Sequence, residues 1–212
     1  MKKIIFSVFS TLFLFQFTFA QMPYTEFKVG YYEPNDTKGG FLFGLHLGRM
    51  IDESVSWGVE VDYFQKTYQD VIRIPDPFGL NNGEEVLVNL QFVNRILPIF
   101  AKLNYERAIG NNSPVYFRAS GGVGWEFVWS RIENFEAEVK DTRFYNGFGW
   151  QLSAGAGYEI SSKAILFFDG FYNHSKVKRN SDSNDQGLPS WQELDISGFG
   201  VKVGVSIIGF GW

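Results

Sequence analysis

The chain has 212 residues, a formal net charge of −4, no cysteine, 18% aromatic residues and 23 glycines. The lack of a basic excess argues against nucleic-acid binding, the lack of cysteine excludes a disulfide framework, and the length suits one domain. A mean hydropathy close to zero does not exclude a membrane β-barrel, in which only alternate residues face lipid.

The chain opens with Met1-Lys2-Lys3, an apolar run over 4–19, and Thr18-Phe19-Ala20. A basic start, an apolar stretch and a small residue before the break predict a cleaved secretory signal peptide over 1–20. The run is shorter than the ~20 residues of a spanning helix. Residues 21–212 then form the mature domain, in which long helical patterns are hard to find.

Eight segments alternate with a period of two, the period of a strand. The first, 24–32, sets Phe27, Val29 and Tyr31 against Glu26, Lys28 and Gly30; the second, 40–50, sets Phe41, Phe43, Leu45 and Leu47 against Leu42, Gly44 and His46. Asp52-Glu53-Ser54 turns tightly into the third, 55–68, where Trp57, Val59, Val61 and Tyr63 oppose Glu60, Asp62 and Lys66. A long loop with Pro75-Asp76-Pro77 and Asn81-Asn82-Gly83 follows. The fourth, 86–107, carries Leu97, Ile99, Ala101, Leu103 and Tyr105 against Lys102, Asn104 and Glu106; Pro98 within it implies a bulge or an unpaired amide. After Gly110-Asn111-Asn112-Ser113-Pro114, the fifth, 115–129, sets Phe117, Val123, Trp125, Phe127 and Trp129 against Arg118, Ser120, Gly122 and Glu126.

The clearest pattern is a hairpin over 144–171. Phe144, Phe148, Trp150, Leu152, Ala154 and Tyr158 share one face, Tyr145, Gly149, Gln151, Ser153 and Glu159 the other, and a short turn at Ser161-Ser162-Lys163 leads into a seventh segment carrying Asp169 and reaching about Val177. A polar stretch over 180–189 precedes the eighth, 194–208, with Phe199, Val201, Val203 and Val205 opposite Gly198, Gly200, Lys202 and Gly204. Gly209 and Gly211 then shift the parity, which implies a bulge or a short tail before Phe210 and Trp212.

Connections after segments two, four and six are short; the others are mostly longer and rich in Asn, Asp, Pro and Gly. This is the layout of an eight-stranded antiparallel up-and-down transmembrane β-barrel with short periplasmic turns and longer extracellular loops. The aromatics sort into two girdles around an aliphatic band: Trp57, Tyr105, Phe117 and Tyr158 near the short turns, Tyr63, Trp125, Trp129, Phe144 and Tyr172 near the long loops. A secreted soluble barrel is the alternative, with the apolar face folded inward. Its wet face would carry many charges, whereas here that face is mainly Gly, Ser and Asn. The expected location is the cell outer membrane.

The signal peptide, the runs Gly122-Val123-Gly124 and Gly155-Ala156-Gly157, the segment Arg95-Ile96-Leu97-Pro98-Ile99 before Lys102, and the stretch from Ser197 to Gly204 carry a resemblance. The chain resembles the small outer-membrane β-barrels of Gram-negative bacteria, in the architecture of the membrane domain of outer membrane protein A and of outer membrane protein X. The 95–99 and 197–204 segments are similar to PorT-type barrels, which implies a part in protein secretion.

An eight-stranded barrel has room inside only for its own side chains. The inward set contains Glu26, Glu60, Asp62, Glu106, Glu126, Glu159 and Asp169 against Lys28, Lys66, Lys102, Arg118 and Lys202, with His46. Buried charge must be paired, so the lumen is expected to be an ion-paired plug and the protein not an enzyme. Glu60 and Asp62 are spaced as an acid/base pair would be, but they suit pairing with Lys and Arg better. His174-Ser175 resembles the His and Ser of outer-membrane lipid A deacylases, but adjacent strand residues face opposite ways. Asp182-Ser183-Asn184-Asp185-Gln186-Gly187 reads as a solvated Asx turn or a calcium loop. No cofactor is implied. Strands four and five, longer than the ~9 to 11 residues a bilayer needs, are expected to project outward and expose Phe127 and Trp129 to a partner. Two functional classes stay open: a subunit of an outer-membrane assembly, or a stand-alone envelope-integrity or surface-binding barrel. The expected partners are outer-membrane lipids and lipopolysaccharide, with other outer-membrane proteins under the first class.

Overall fold

The computed structural model describes residues 22–74, 86–110, 113–134, 139–179 and 192–211. The predicted signal peptide, the 75–83 loop, the Asx-rich loop at 182–187 and Trp212 lie outside the described residues. Among the described residues nine strands run in chain order: β1 (Pro23–Pro34), β2 (Gly40–Met50), β3 (Val55–Ile74), β4 (Val86–Ala108), β5 (Val115–Asn134), β6 (Val139–Ser161), β7 (Ala164–Arg179), β8 (Glu193–Asp195) and β9 (Gly198–Ile208). Each pairs antiparallel with its neighbours, and β1 closes on β9 while β6 closes on β7. β8 and β9 are one stave, because β8 pairs with β7 at 176–178 and β9 continues along β7 from Asn173. The result is an eight-stave closed barrel, as the alternation predicts.

The interruption falls at Ile196 and Ser197. The Ile196 amide donates to the Ser175 carbonyl and the Ser197 carbonyl accepts from the Asn35 amide, at 3.0 and 2.9 Å, so these peptide groups bond across to β7 and the β1–β2 loop. The tight turns follow from local side chains. Asp52 Oδ1 accepts the amides of Ser54 and Val55 at 2.7 and 2.8 Å, an Asx turn that closes β2 onto β3. At Pro98 the β3–β4 ladder is interrupted without losing count, passing from Val61–Ile99 to Phe64–Ile96, so the proline costs an amide bond and makes no bulge. After β9 the chain turns through Gly209, where φ is +80°. The tail then crosses β1: Thr25 donates to the Phe210 carbonyl at 2.6 Å, and the Phe210 and Phe27 rings lie 6.3 Å apart.

The rim is uneven. β2 follows β3 only to the Leu42–Phe64 pair, and β7 follows β6 only to Arg179–Tyr145. Beyond these points β3, β4, β5 and β6 continue as a four-stranded wall on the long-loop side. The sequence predicts this projection for strands four and five, but the structure gives it to β3 and β6 as well. The end of β3 gives no apolar alternation to read, because its outer face above Tyr63 is Gln65, Thr67 and Gln69.

Inside and outside are inverted relative to a soluble protein. Among the described residues, thirty large hydrophobic side chains stand exposed, Phe41 at 73% and Phe199 at 72%, while Glu26, His46, Glu60 and Glu126 are wholly buried. Soluble monomers rarely expose apolar patches beyond a few hundred Å². A belt of this kind around a closed barrel is a lipid-facing surface, so the soluble alternative falls.

Candidate functional site

The inward side chains form two storeys. In the one toward the short turns, five carboxylates (Glu26, Glu60, Asp62, Glu106, Asp169) face four cations (Lys28, Lys102, Arg118, Lys202). Glu60 is the hub: its carboxylate lies 2.6 Å from Lys28 Nζ, 2.7 Å from Lys102 Nζ and 2.7 Å from Lys202 Nζ. Lys28 also reaches Glu26 at 2.6 Å, and Lys202 reaches Asp62 at 2.5 Å and Gln151 at 3.1 Å. Arg118 joins the far side, with Nη2 2.5 Å from Glu26, Nη1 on Glu106 and Nε 3.4 Å from Asp169. Its guanidinium lies over the Phe167 ring at 3.9 Å. The Tyr24 hydroxyl sits 2.7 Å from both Glu26 and Glu106. Strand register makes room for these long side chains: Gly44 stands between Lys28 on β1 and Asp62 on β3, and a Cβ there would collide with both.

The second storey is apolar. Leu42, Phe64, Ile96, Val128 and Tyr145 are successive register partners across five staves, a single row pointing inward. Tyr32, Phe171, Val177 and Ile196 complete the buried cluster. Between the storeys, Asn173 donates to Glu126 at 3.1 Å and to the Tyr32 hydroxyl at 3.1 Å, while that hydroxyl donates to the Ile196 carbonyl. Lys202 stands 4.6 Å from the Phe171 ring, tying one storey to the other. The lumen is therefore filled by salt bridges below and by hydrocarbon above.

Of the inward residues read from sequence, Glu60, Asp62, Lys102, Glu106, Arg118, Asp169 and Lys202 meet in this network with Glu26 and Lys28. Glu126 lies one layer away, bound by Asn173 with no cation in ion-pair reach among the described residues. Glu159 stands apart at the short-turn rim, where its carboxylate accepts the Tyr116 hydroxyl at 3.0 Å. Lys66 is half-buried on the other side of the apolar row. Alternation places Leu42, Tyr145 and Gln151 on the inward face, but the parts played by Tyr24, Gln151, Asn173 and the apolar row are not legible in the sequence, because their partners lie on other strands. On the outside, Trp57, Tyr63, Tyr105, Trp125, Trp129, Phe144 and Tyr158 are all exposed. Phe127 is only half-exposed, because it packs between Trp129 at 6.4 Å and Phe144 at 6.2 Å.

The chemistry open to this lumen is limited by its own pairing. Glu26, His46 and Glu60 offer ligand atoms within 4.8 Å of one another, but Lys28 Nζ already lies 2.6 Å from each carboxylate, where a metal ion would sit. Glu60 and Asp62, spaced for acid/base work, are committed to lysines. His174 and Ser175 do face opposite ways. His174 Nδ1 instead lies 3.1 Å from Ser197 Oγ, which also accepts the Ser175 amide at 3.1 Å. Ser197 is 2% exposed, so its hydroxyl fastens the interrupted stave and no substrate reaches it.

No protein-family model matches the sequence, and no curated protein matches it. Among solved structures, the fold is similar to a major outer membrane protein of Thermus thermophilus, with a TM-score of 0.56 and 14% identity over 90% of this chain and 100% of that one. Neisserial surface protein A aligns with a TM-score of 0.51 and 12% identity over 87% and 96% of the two chains. The outer membrane protein OprG of Pseudomonas aeruginosa gives 0.50 and 15% over 89% and 96%. The fold is that of the small outer-membrane β-barrels.

Proposed function

We propose that this outer-membrane barrel conducts no solute and serves as a structural or accessory subunit of an outer-membrane assembly, reached after export on the 1–20 leader. The observation that carries the reading is the doubly filled lumen: five carboxylates and four cations locked together beneath an apolar row leave no aqueous path. The one-sided wall of β3–β6 supports the accessory role, since it gives the barrel a paired β-surface above the bilayer on which another chain can lean. The similarity of 95–99 and 197–204 to PorT-type barrels makes protein secretion the class of assembly.

Two measurements test this. Purified, folded protein in planar bilayers is expected to give no steady conductance, and a large persistent current overturns the closed lumen. Extraction from native membranes in mild detergent, followed by native mass measurement, is expected to return the barrel with a companion chain. A lone monomer overturns the accessory role and leaves the stand-alone barrel.

A further inference from the structure

Along the outer face of β5, reading away from the short turns, the side chains change from aromatic to basic: Phe127, Trp129, then Arg131. The neighbouring strands add cations at and beyond this level. On β4, Arg95 stands opposite Trp129, and on β6, Phe144 lies opposite Trp129 while Lys140 lies opposite Glu133. All three cations are exposed. Glu133, the acid nearest to them, bridges two of them, with Arg131 at 3.3 Å and Lys140 at 2.5 Å, and so holds them side by side. The third, Arg95, gives its Nε to Gln65 at 3.1 Å and has no carboxylate in ion-pair reach among the described residues. Its terminal nitrogens are left for another acceptor. The opposite flank carries no cation at this end: on β1, β2 and β9 the outer face ends in Glu33, Phe41 and Phe199.

We propose that this face of β4–β6 binds a phosphorylated glycolipid of the outer leaflet, with its phosphates on Arg95, Arg131 and Lys140 and its acyl chains along Phe127, Trp129 and Phe144. The assignment rests on the barrel being embedded as described above. An aromatic collar marks the depth where acyl chains give way to headgroups, and cations just beyond it meet phosphate, which arginine grips with two nitrogens at once. The spacing selects the class of lipid. Arg95 and Lys140 are two strands apart, about 10 Å across the sheet, and Lys140 lies four residues beyond the level of Phe144, about another 13 Å. One phosphodiester does not span that strip. A sugar headgroup bearing two or more phosphates does.

The test uses the folded barrel in nanodiscs of zwitterionic phosphatidylcholine, titrated with lipopolysaccharide, with dephosphorylated lipopolysaccharide and with phosphatidylglycerol, and read by native mass spectrometry. The variant is Arg95→Gln/Arg131→Gln/Lys140→Gln, and Lys163→Gln in the β6–β7 turn is the control for loss of a surface charge elsewhere. Each protein is first checked for the gel-mobility difference between unheated and boiled samples, so that a failure to embed is seen separately from a failure to bind. Lipopolysaccharide is expected to bind wild type and the control alike, and the triple variant roughly ten- to a hundredfold more weakly. Equal binding by the triple variant overturns the site. Equal binding of the dephosphorylated form, or of phosphatidylglycerol, overturns the phosphorylated glycolipid as its ligand, as does full displacement by millimolar inorganic phosphate.

Discussion

Glu60→Gln places the largest load on the lumen for the smallest change in shape. The wild-type carboxylate holds three ammonium groups at 2.6, 2.7 and 2.7 Å. When the charge is removed, Lys28 keeps Glu26 and Lys202 keeps Asp62 and Gln151. Lys102 has no other ion-pair partner among the described residues, so the loss concentrates there. Stranding one member of a buried pair costs about 3 to 5 kcal/mol, and that is the expected loss of unfolding free energy. Lys102→Met added to Glu60→Gln removes the stranded charge, so the double variant is expected to be more stable than the sum of the singles by about 1 to 3 kcal/mol. The assay is urea unfolding of the barrel in lipid vesicles, followed by tryptophan fluorescence and by the mobility of unheated samples. A loss below about 1 kcal/mol for Glu60→Gln, the scale of screened surface pairs, would refute the dry ion-paired storey, as would strict additivity in the double variant.

Val123→Arg places a charge on the lipid face of β5 and is expected to cost about 2 to 4 kcal/mol in vesicles; the same unfolding assay reads it, and no effect contradicts the belt. Tyr32→Phe strips the hydroxyl shared by Asn173 and the Ile196 carbonyl and is expected to lose about 1 to 3 kcal/mol by leaving buried polar atoms unpaired. Phe64→Ala, at a site 2% exposed, is expected to lose about 3 to 5 kcal/mol and yet to stay non-conducting in planar bilayers, because the salt-bridged storey beneath it is intact.

Where one face met lipid and the other a crowded interior, the sequence was easy to read. Residues 55–63, 115–129 and 144–160 alternate so sharply that strand, face and girdle follow from period two alone. The upper end of β3 lacks that contrast, since its outer face is Gln65, Thr67 and Gln69, which look like loop. Alternation places the charged residues on the inward face but does not say which of them touch, because pairing depends on register. Glu159 and Glu106 look alike in sequence, yet Glu106 faces Arg118 across β4 and β5 while Glu159 sits two residues before a turn. The apolar storey is hidden for the same reason: Leu42, Phe64, Ile96, Val128 and Tyr145 come from five different strands, and only register aligns them. The break at Ile196 and Ser197 left no local signal, as both residues suit a strand.

The chain contains no cysteine, so single cysteines can be walked along β5 from 117 to 125 in the vesicle-embedded barrel. A water-soluble thiol reagent and a lipid-soluble one are then compared at each position. The expected result is a strict period of two: positions 117, 119, 123 and 125 react only from lipid, and positions 118, 120, 122 and 124 react with neither reagent. Reaction of the even positions with the aqueous reagent would mean an open pore, and reaction of the odd positions with it would mean that the apolar belt does not face lipid.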